Sequence, residues 1–99
     1  PPPKDMPTVI RLYQNYPNPF NSGTTIPFFL PQSTHVKIII YDLLGRKIKE
    51  IVNDNRNEGD NYETWDMTNT MGQRVSSGIY FYRLATQSGS ITGKMLLIK

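Results

Sequence analysis

Cysteine is absent from this chain, which removes disulfide staples, thiolate metal sites and cysteine nucleophiles together, so stability must come from packing. Histidine occurs once. His35 stands beside Thr34 with no acid close in sequence, whereas a catalytic imidazole needs an orienting partner and a nucleophile. Neither a nucleophile elbow nor an HExxH zinc motif occurs, and the glycines stand singly, so there is no phosphate-cradling loop. No catalytic residue, cofactor site or metal site is expected. No apolar run approaches the roughly 20 residues needed to cross a bilayer, and no basic-then-apolar leader opens the sequence. No membrane insertion is expected. Acid is missing after Asp66, where only Arg74, Arg83, Lys94 and Lys99 carry charge. Four dispersed cations fall short of the dense basic stripe that nucleic-acid binding requires.

What is present is β structure. The 99 residues suffice for one hydrophobic core and not for two. The opening Pro1-Pro2-Pro3-Lys4, without Met, reads as an excised piece or a processed end of something longer, with residues 1–8 a Pro-rich linker and 9–99 the domain. Apolar periodicity is two wherever it is clear. Val36, Ile38 and Ile40 alternate with Lys37, Ile39 and Tyr41; a turn at Asp42-Leu43-Leu44-Gly45 then leads into a partner strand from Arg46 to Val52, and a slip between Ile48 and Ile51 predicts a bulge or an irregular edge. Asn53 to Gly59 is predicted to be a loop from its Asn and Gly content. Further strands are predicted at Val9 to Tyr13, Thr24 to Leu30, Asp60 to Trp65, Ile79 to Thr86 and Ile91 to Ile98, the last interrupted by Gly93. Val75, between the turns at Gly72 and Gly78, should point inward. Seven short strands predict an all-β, antiparallel, seven-stranded sandwich of the immunoglobulin or fibronectin III kind, with a small barrel as competitor.

Two clusters invite chemistry. Asp54, Glu58, Asp60, Glu63 and Asp66 suggest calcium, but Arg56 takes a ligand position of an EF-hand and Trp65 stands where its bidentate Glu belongs; a different calcium site near Asp66 stays open. Glycoside hydrolysis needs two carboxyls across a cleft, for which so small a sandwich has little room. Tyr62, Trp65, Tyr80, Phe81 and Tyr82 suggest a sugar-binding platform, yet a sandwich also needs large core residues, and the alternating faces of Ile79 to Leu84 supply them. A carbohydrate-binding or cell-attachment module of a secreted polysaccharide-degrading enzyme is therefore the alternative function.

Pro17 and Pro19 stiffen the segment Gln14 to Asn21 and hold Tyr16 and Asn18 extended, while Asn15, Asn18 and Asn21 can bond nearby backbone and Phe20 is the natural plug into the core. By itself this is a rigid crossover. The ordered set is more specific: Leu12-Tyr13-Gln14-Asn15-Tyr16-Pro17-Asn18-Pro19-Phe20-Asn21, Thr25-Ile26, Leu30-Pro31, Val36-x-Ile38-x-Ile40-Tyr41-Asp42-x-x-Gly45, Trp65-Asp66, Gly72-x-x-Val75-x-Ser77-Gly78-Ile79-Tyr80-Phe81-Tyr82-Arg83-Leu84 and Lys94-Met95-x-Leu97-Ile98-Lys99. In this order it resembles the type A C-terminal sorting domain of type IX secretion, also called the Por secretion system. The immunoglobulin-like domain of flagellar hook-capping proteins is a related sandwich. Two departures stand out, since members commonly have Gly after Trp-Asp and an aliphatic residue two before the Trp, where this chain has Met67 and Glu63.

The resemblance implies a non-catalytic address carried by an N-terminal passenger. After export to the periplasm an outer-membrane translocon reads the address, a sortase-like peptidase often removes it, and the passenger is secreted or attached to the cell surface. It also implies that a folded surface together with the extreme C-terminal strand carries recognition, which points to Lys94, Met95, Leu97, Ile98 and Lys99, and that the chain of such a domain ends at Lys99. On the residues alone, a terminal strand at a sheet edge can pair with a receptor strand, while Lys94 and Lys99 serve equally as protection against edge-to-edge aggregation.

Overall fold

The computed structural model describes residues 9–98, so residues 1–8, read above as a linker, and Lys99 lie outside the described residues. The strands are β1 (Arg11–Leu12), β2 (Thr24–Leu30), β3 (Thr34–Asp42), β4 (Lys47–Arg56), β5 (Gly59–Trp65), β6 (Gly78–Thr86) and β7 (Gly89–Leu97). They form two antiparallel sheets, one ordered β1-β2-β5 and the other β4-β3-β6-β7. This is the predicted seven-stranded sandwich.

Strand alternation decides which side chains meet between the sheets. Val36, Ile38 and Ile40 of β3, Tyr80, Tyr82 and Leu84 of β6, and Met95 and Leu97 of β7 face Ile26, Phe28 and Leu30 of β2, all of them buried. Trp65, at the end of β5, closes one end against Phe20 and Tyr80, with ring centroids 5.9 and 5.3 Å away in edge-to-face geometry. Burying each such side chain is worth about 1.5–3 kcal/mol. Of the five aromatics weighed as a sugar platform, Trp65, Tyr80 and Tyr82 are core, Phe81 is half-buried and Tyr62 is exposed.

The bulge is present and double. Ile38 pairs with Val52 and Ile39 with Glu50, which leaves Ile51 over; Ile40 pairs with Lys49 and Tyr41 with Lys47, which leaves Ile48 over. Both extra isoleucines pack on the core.

The predicted loop from Asn53 to Gly59 is mostly strand. β4 continues to Arg56, with Asp54 opposite Val36 and Arg56 opposite Thr34, so the connection shrinks to Asn57 and Glu58. The polar composition marked a solvent-facing strand: His35 bonds Asn53 Oδ1 at 2.6 Å and Asn55 Oδ1 at 3.2 Å across the ladder. β1 is shorter than predicted, because only Arg11 and Leu12 form ladder pairs with Phe29 and Phe28.

Both departures from the sorting-domain pattern have local accommodation. Glu63 shares the inward parity of Trp65, and Arg56 of the opposite sheet meets it, Nη2 to Oε2 at 2.8 Å, while also holding Asp54 at 2.7 Å. These carboxylates raise the Arg56 pKa, so the guanidinium stays charged. Met67 has φ 68°, the left-handed region in which glycine is unstrained, and its side chain is buried. Thr68 bonds the Asp66 carboxylate through both N–H and hydroxyl, and Val75 N–H donates to Met67 O at 3.0 Å; together they hold this turn. Val75 is half-buried against the core, as its position predicted.

Candidate functional site

The last strand is an edge. β7 pairs with β6 alone in the four-stranded sheet, from Gly78 opposite Leu97 to Thr86 opposite Gly89. Its alternation divides the five residues named for recognition: Met95 and Leu97 are buried in the core, Lys94 and Ile98 face solvent, and Lys99 lies beyond the described residues. Leu96, which the sequence reading passed over, is 37% exposed beside them. Strand parity was the signal that could have found it.

The free side of β7 is not uniformly bare. The segment 14–21 leaves the three-stranded sheet through the Tyr16–Thr25 bridge and reaches the four-stranded sheet through a parallel bridge between Phe20 and Leu97. Along the way Gln14 Nε2 donates to Lys94 O (2.9 Å), Leu96 N–H donates to Asn18 Oδ1 (2.9 Å), Phe20 N–H donates to Leu96 O (3.1 Å) and Ile98 N–H donates to Phe20 O (2.9 Å). The motif does cross between the sheets, as its stiffness predicted, and it is also a strap that occupies the backbone edge from Lys94 to Ile98. It leaves the side chains of Lys94, Leu96 and Ile98 in solvent.

The strap's own anchor is Asn15, one of two buried polar residues among those described. Its backbone N–H donates to Tyr82 Oη (3.1 Å) and its Nδ2 to Thr24 Oγ1 (3.0 Å), while Tyr82 Oη donates to Tyr13 O (2.9 Å). Burial raises the Tyr82 pKa, only partly countered by the Asn15 bond, so the phenol stays protonated. Gly93, opposite Tyr82, makes this possible: a Cβ there would stand 2.5 Å from the phenol oxygen. Gly93 is thus no interruption of β7 but the floor on which the Tyr82 ring lies. Asn18 bonds a strand far away in sequence rather than nearby backbone, and Asn21 is exposed. Tyr16, Pro17 and Pro19 are exposed along the strap, and Phe20 is its buried plug, as predicted.

The remaining motif residues shape turns and core. Gly45 (φ 82°) lets the β3–β4 turn close under Asp42, whose Oδ1 accepts from Leu44 and Arg46 N–H at 2.9 Å each. The Arg46 backbone bond is the main reason the Asp42 pKa is lowered. The Thr68 bond likewise lowers that of Asp66. Gly72 and Gly78 also have positive φ, and Tyr80 Oη donates to Ser76 O at 2.6 Å. Trp65 Nε1 donates to Thr68 O at 2.9 Å. Near Asp66, Lys49 Nζ stands 3.6 Å from the carboxylate, and among the described residues no three acidic or histidine side chains converge on a point where a cation could sit.

The fold is an immunoglobulin-like antiparallel sandwich whose strand β7 lies at a strapped edge. The profile of the secretion system C-terminal sorting domain family matches residues 14–99, and the chain belongs to that family. It is a non-catalytic sorting domain of type IX secretion, and the protein that carries it is exported toward the cell surface or medium. Solved structures agree on the fold. The chain superposes on dimeric latent PorU from Porphyromonas gingivalis with TM-score 0.75 and 23% identity, over 96% of this chain and 10% of that one. It also superposes on PorZ of the same bacterium, a surface component of its type IX secretion system, with TM-score 0.62 and 22% identity, over 89% of this chain and 11% of that one. The chain thus spans about a tenth of each. No curated protein sequence matches it.

Proposed function

We propose that outer-membrane translocon components read this domain at the outward side of β7, through Lys94, Leu96 and Ile98 together with Lys99, and that a sortase-like peptidase can then release it from an N-terminal passenger joined through residues 1–8. The observation that carries this reading is the position of β7 at a sheet edge, with the side chains of Lys94, Leu96 and Ile98 in solvent while the strap satisfies the backbone behind them. Met95 and Leu97 serve the signal indirectly, by fixing the strand to the core. Side-chain recognition is favoured over strand addition from Lys94 to Ile98, because a receptor strand would first have to displace four hydrogen bonds of the strap.

A periplasmic reporter fused ahead of residues 1–99, in a bacterium with this secretion system, should appear in the medium or on the surface, and a fusion to residues 9–99 should do the same if residues 1–8 only connect. Lys94→Glu combined with Ile98→Ser should leave the domain folded and the reporter trapped in the periplasm. Unimpaired export of that variant would contradict the assignment.

A further inference from the structure

Beyond the β7 edge, the whole outer face of the four-stranded sheet has the composition of an interface. Cross-strand register places Ile79 beside Leu96, Tyr41 beside Phe81, and Ile39 beside Arg83. Ile79 and Leu96 are 36% and 37% exposed, and Ile39, Tyr41 and Phe81 are half-exposed, so five apolar side chains form one stripe across β3, β6 and β7. Cations surround it. Lys37, Lys47, Arg83 and Lys94 all lie on this face by register and are exposed, with Glu50 as the acid on the same ladder. None of the four makes an ion pair among the described residues, whereas Arg46, Lys49 and Arg56 do. The other described acids lie elsewhere, with Asp54, Glu58, Asp60 and Glu63 around the connection from β4 to β5 between the sheets and Asp42 and Asp66 tied into turns.

We propose that this face docks an acidic protein surface with an apolar centre, so that the sorting domain is held by its β3–β6 face as well as by its β7 edge. The proposal rests on the sorting reading and deepens it. Charge complementarity selects the occupant: four unpaired cations around an apolar stripe match carboxylates around an apolar patch, and such matching sets partner choice and association rate. A second copy of this chain would bring cations against cations. The five apolar side chains distinguish the face from a phosphate-binding stripe, in which cations would be dense and apolar groups few.

The test uses positions away from β7. In the reporter fusion, Lys37→Glu with Arg83→Glu should lower export by roughly tenfold, since like charges across an interface are strongly unfavourable. Both residues are exposed and outside any ion pair among the described residues, and Arg83 gives up only an exposed bond to Ser90 Oγ (3.2 Å), so the melting temperature should hold. Lys37→Arg with Arg83→Lys should export normally. The free domain, supplied in the periplasm without a reporter, should compete with the unmodified fusion, and its Lys37→Glu, Arg83→Glu form should not. Normal export and normal competition by the folded charge-reversed form would overturn the proposal while leaving the β7 assignment standing. Sedimentation of the domain with phosphatidylcholine and phosphatidylglycerol vesicles, lost in the charge-reversed form, would assign the face to lipid and overturn it too. Failure of the unmodified fusion to be exported would take down the sorting reading and this one together.

Discussion

At the scale of single residues, small groups settle the site. Tyr82 supplies the hydroxyl that satisfies the buried Asn15 N–H and reaches Tyr13 O, so Tyr82→Phe leaves that N–H without its partner. The expected cost is about 1–3 kcal/mol by urea denaturation. Met67 poses a contest of magnitudes. Met67→Gly relieves about 1 kcal/mol of left-handed strain but removes a buried side chain, a loss of about 2–5 kcal/mol. The glycine common in the family should therefore destabilise this member. Acid sensitivity follows from Asp42 and Asp66, whose pKa values are lowered from 3.8 by hydrogen bonds that exist only in the fold. Their contribution is present above the unfolded-state value of about 4 and is lost as pH falls through the lower folded values. The urea midpoint should hold from neutral pH to about 5 and drop below 4, and Asp42→Asn should flatten part of that drop.

At the scale of elements, β7 does two jobs that a deletion cannot separate. Removing residues 94–99 takes Met95 and Leu97 out of the core, and each buried residue of this size lost to a cavity costs about 2–5 kcal/mol. Against a typical total of about 5–15 kcal/mol, the truncated domain should show no cooperative melt by circular dichroism. Trapping of a truncated fusion would thus report unfolding as readily as lost recognition. The strap is coupled to the same strand. Asn18→Ala leaves the Leu96 N–H to solvent, costs about 1 kcal/mol, and should speed hydrogen exchange at Leu96 and Ile98 before the rest of the sheet.

At the scale of the whole molecule, period-two alternation made the sandwich legible, because Val36 to Ile40 and Ile79 to Leu84 can bury one face only as strands. The double bulge was legible as a break in that period at Ile48 and Ile51. The continuation of β4 through Asn53 to Arg56 was not, since composition reports solvent exposure and cannot distinguish an exposed strand from a loop. The candidate site, as proposed, draws on both sequence and structure. The order of motifs pointed to the last strand, but which of its residues face outward depends on a parity set by pairing with β6. The strap needed three dimensions, because Asn18 and Leu96 lie 78 positions apart.

On the proposed reading, a folded domain is recognised by what β7 presents outward. The most direct test of that reading sets export against melting temperature for two groups of variants of the 1–99 fusion. The outward group is Lys94→Glu, Leu96→Ser and Ile98→Ser; the inward group is Met95→Ala and Leu97→Ala. Outward variants should lose export while melting close to the unmodified domain, and inward variants should lose export only as far as they lose the fold. Export that follows melting temperature alone, with no difference between the groups, would contradict the account.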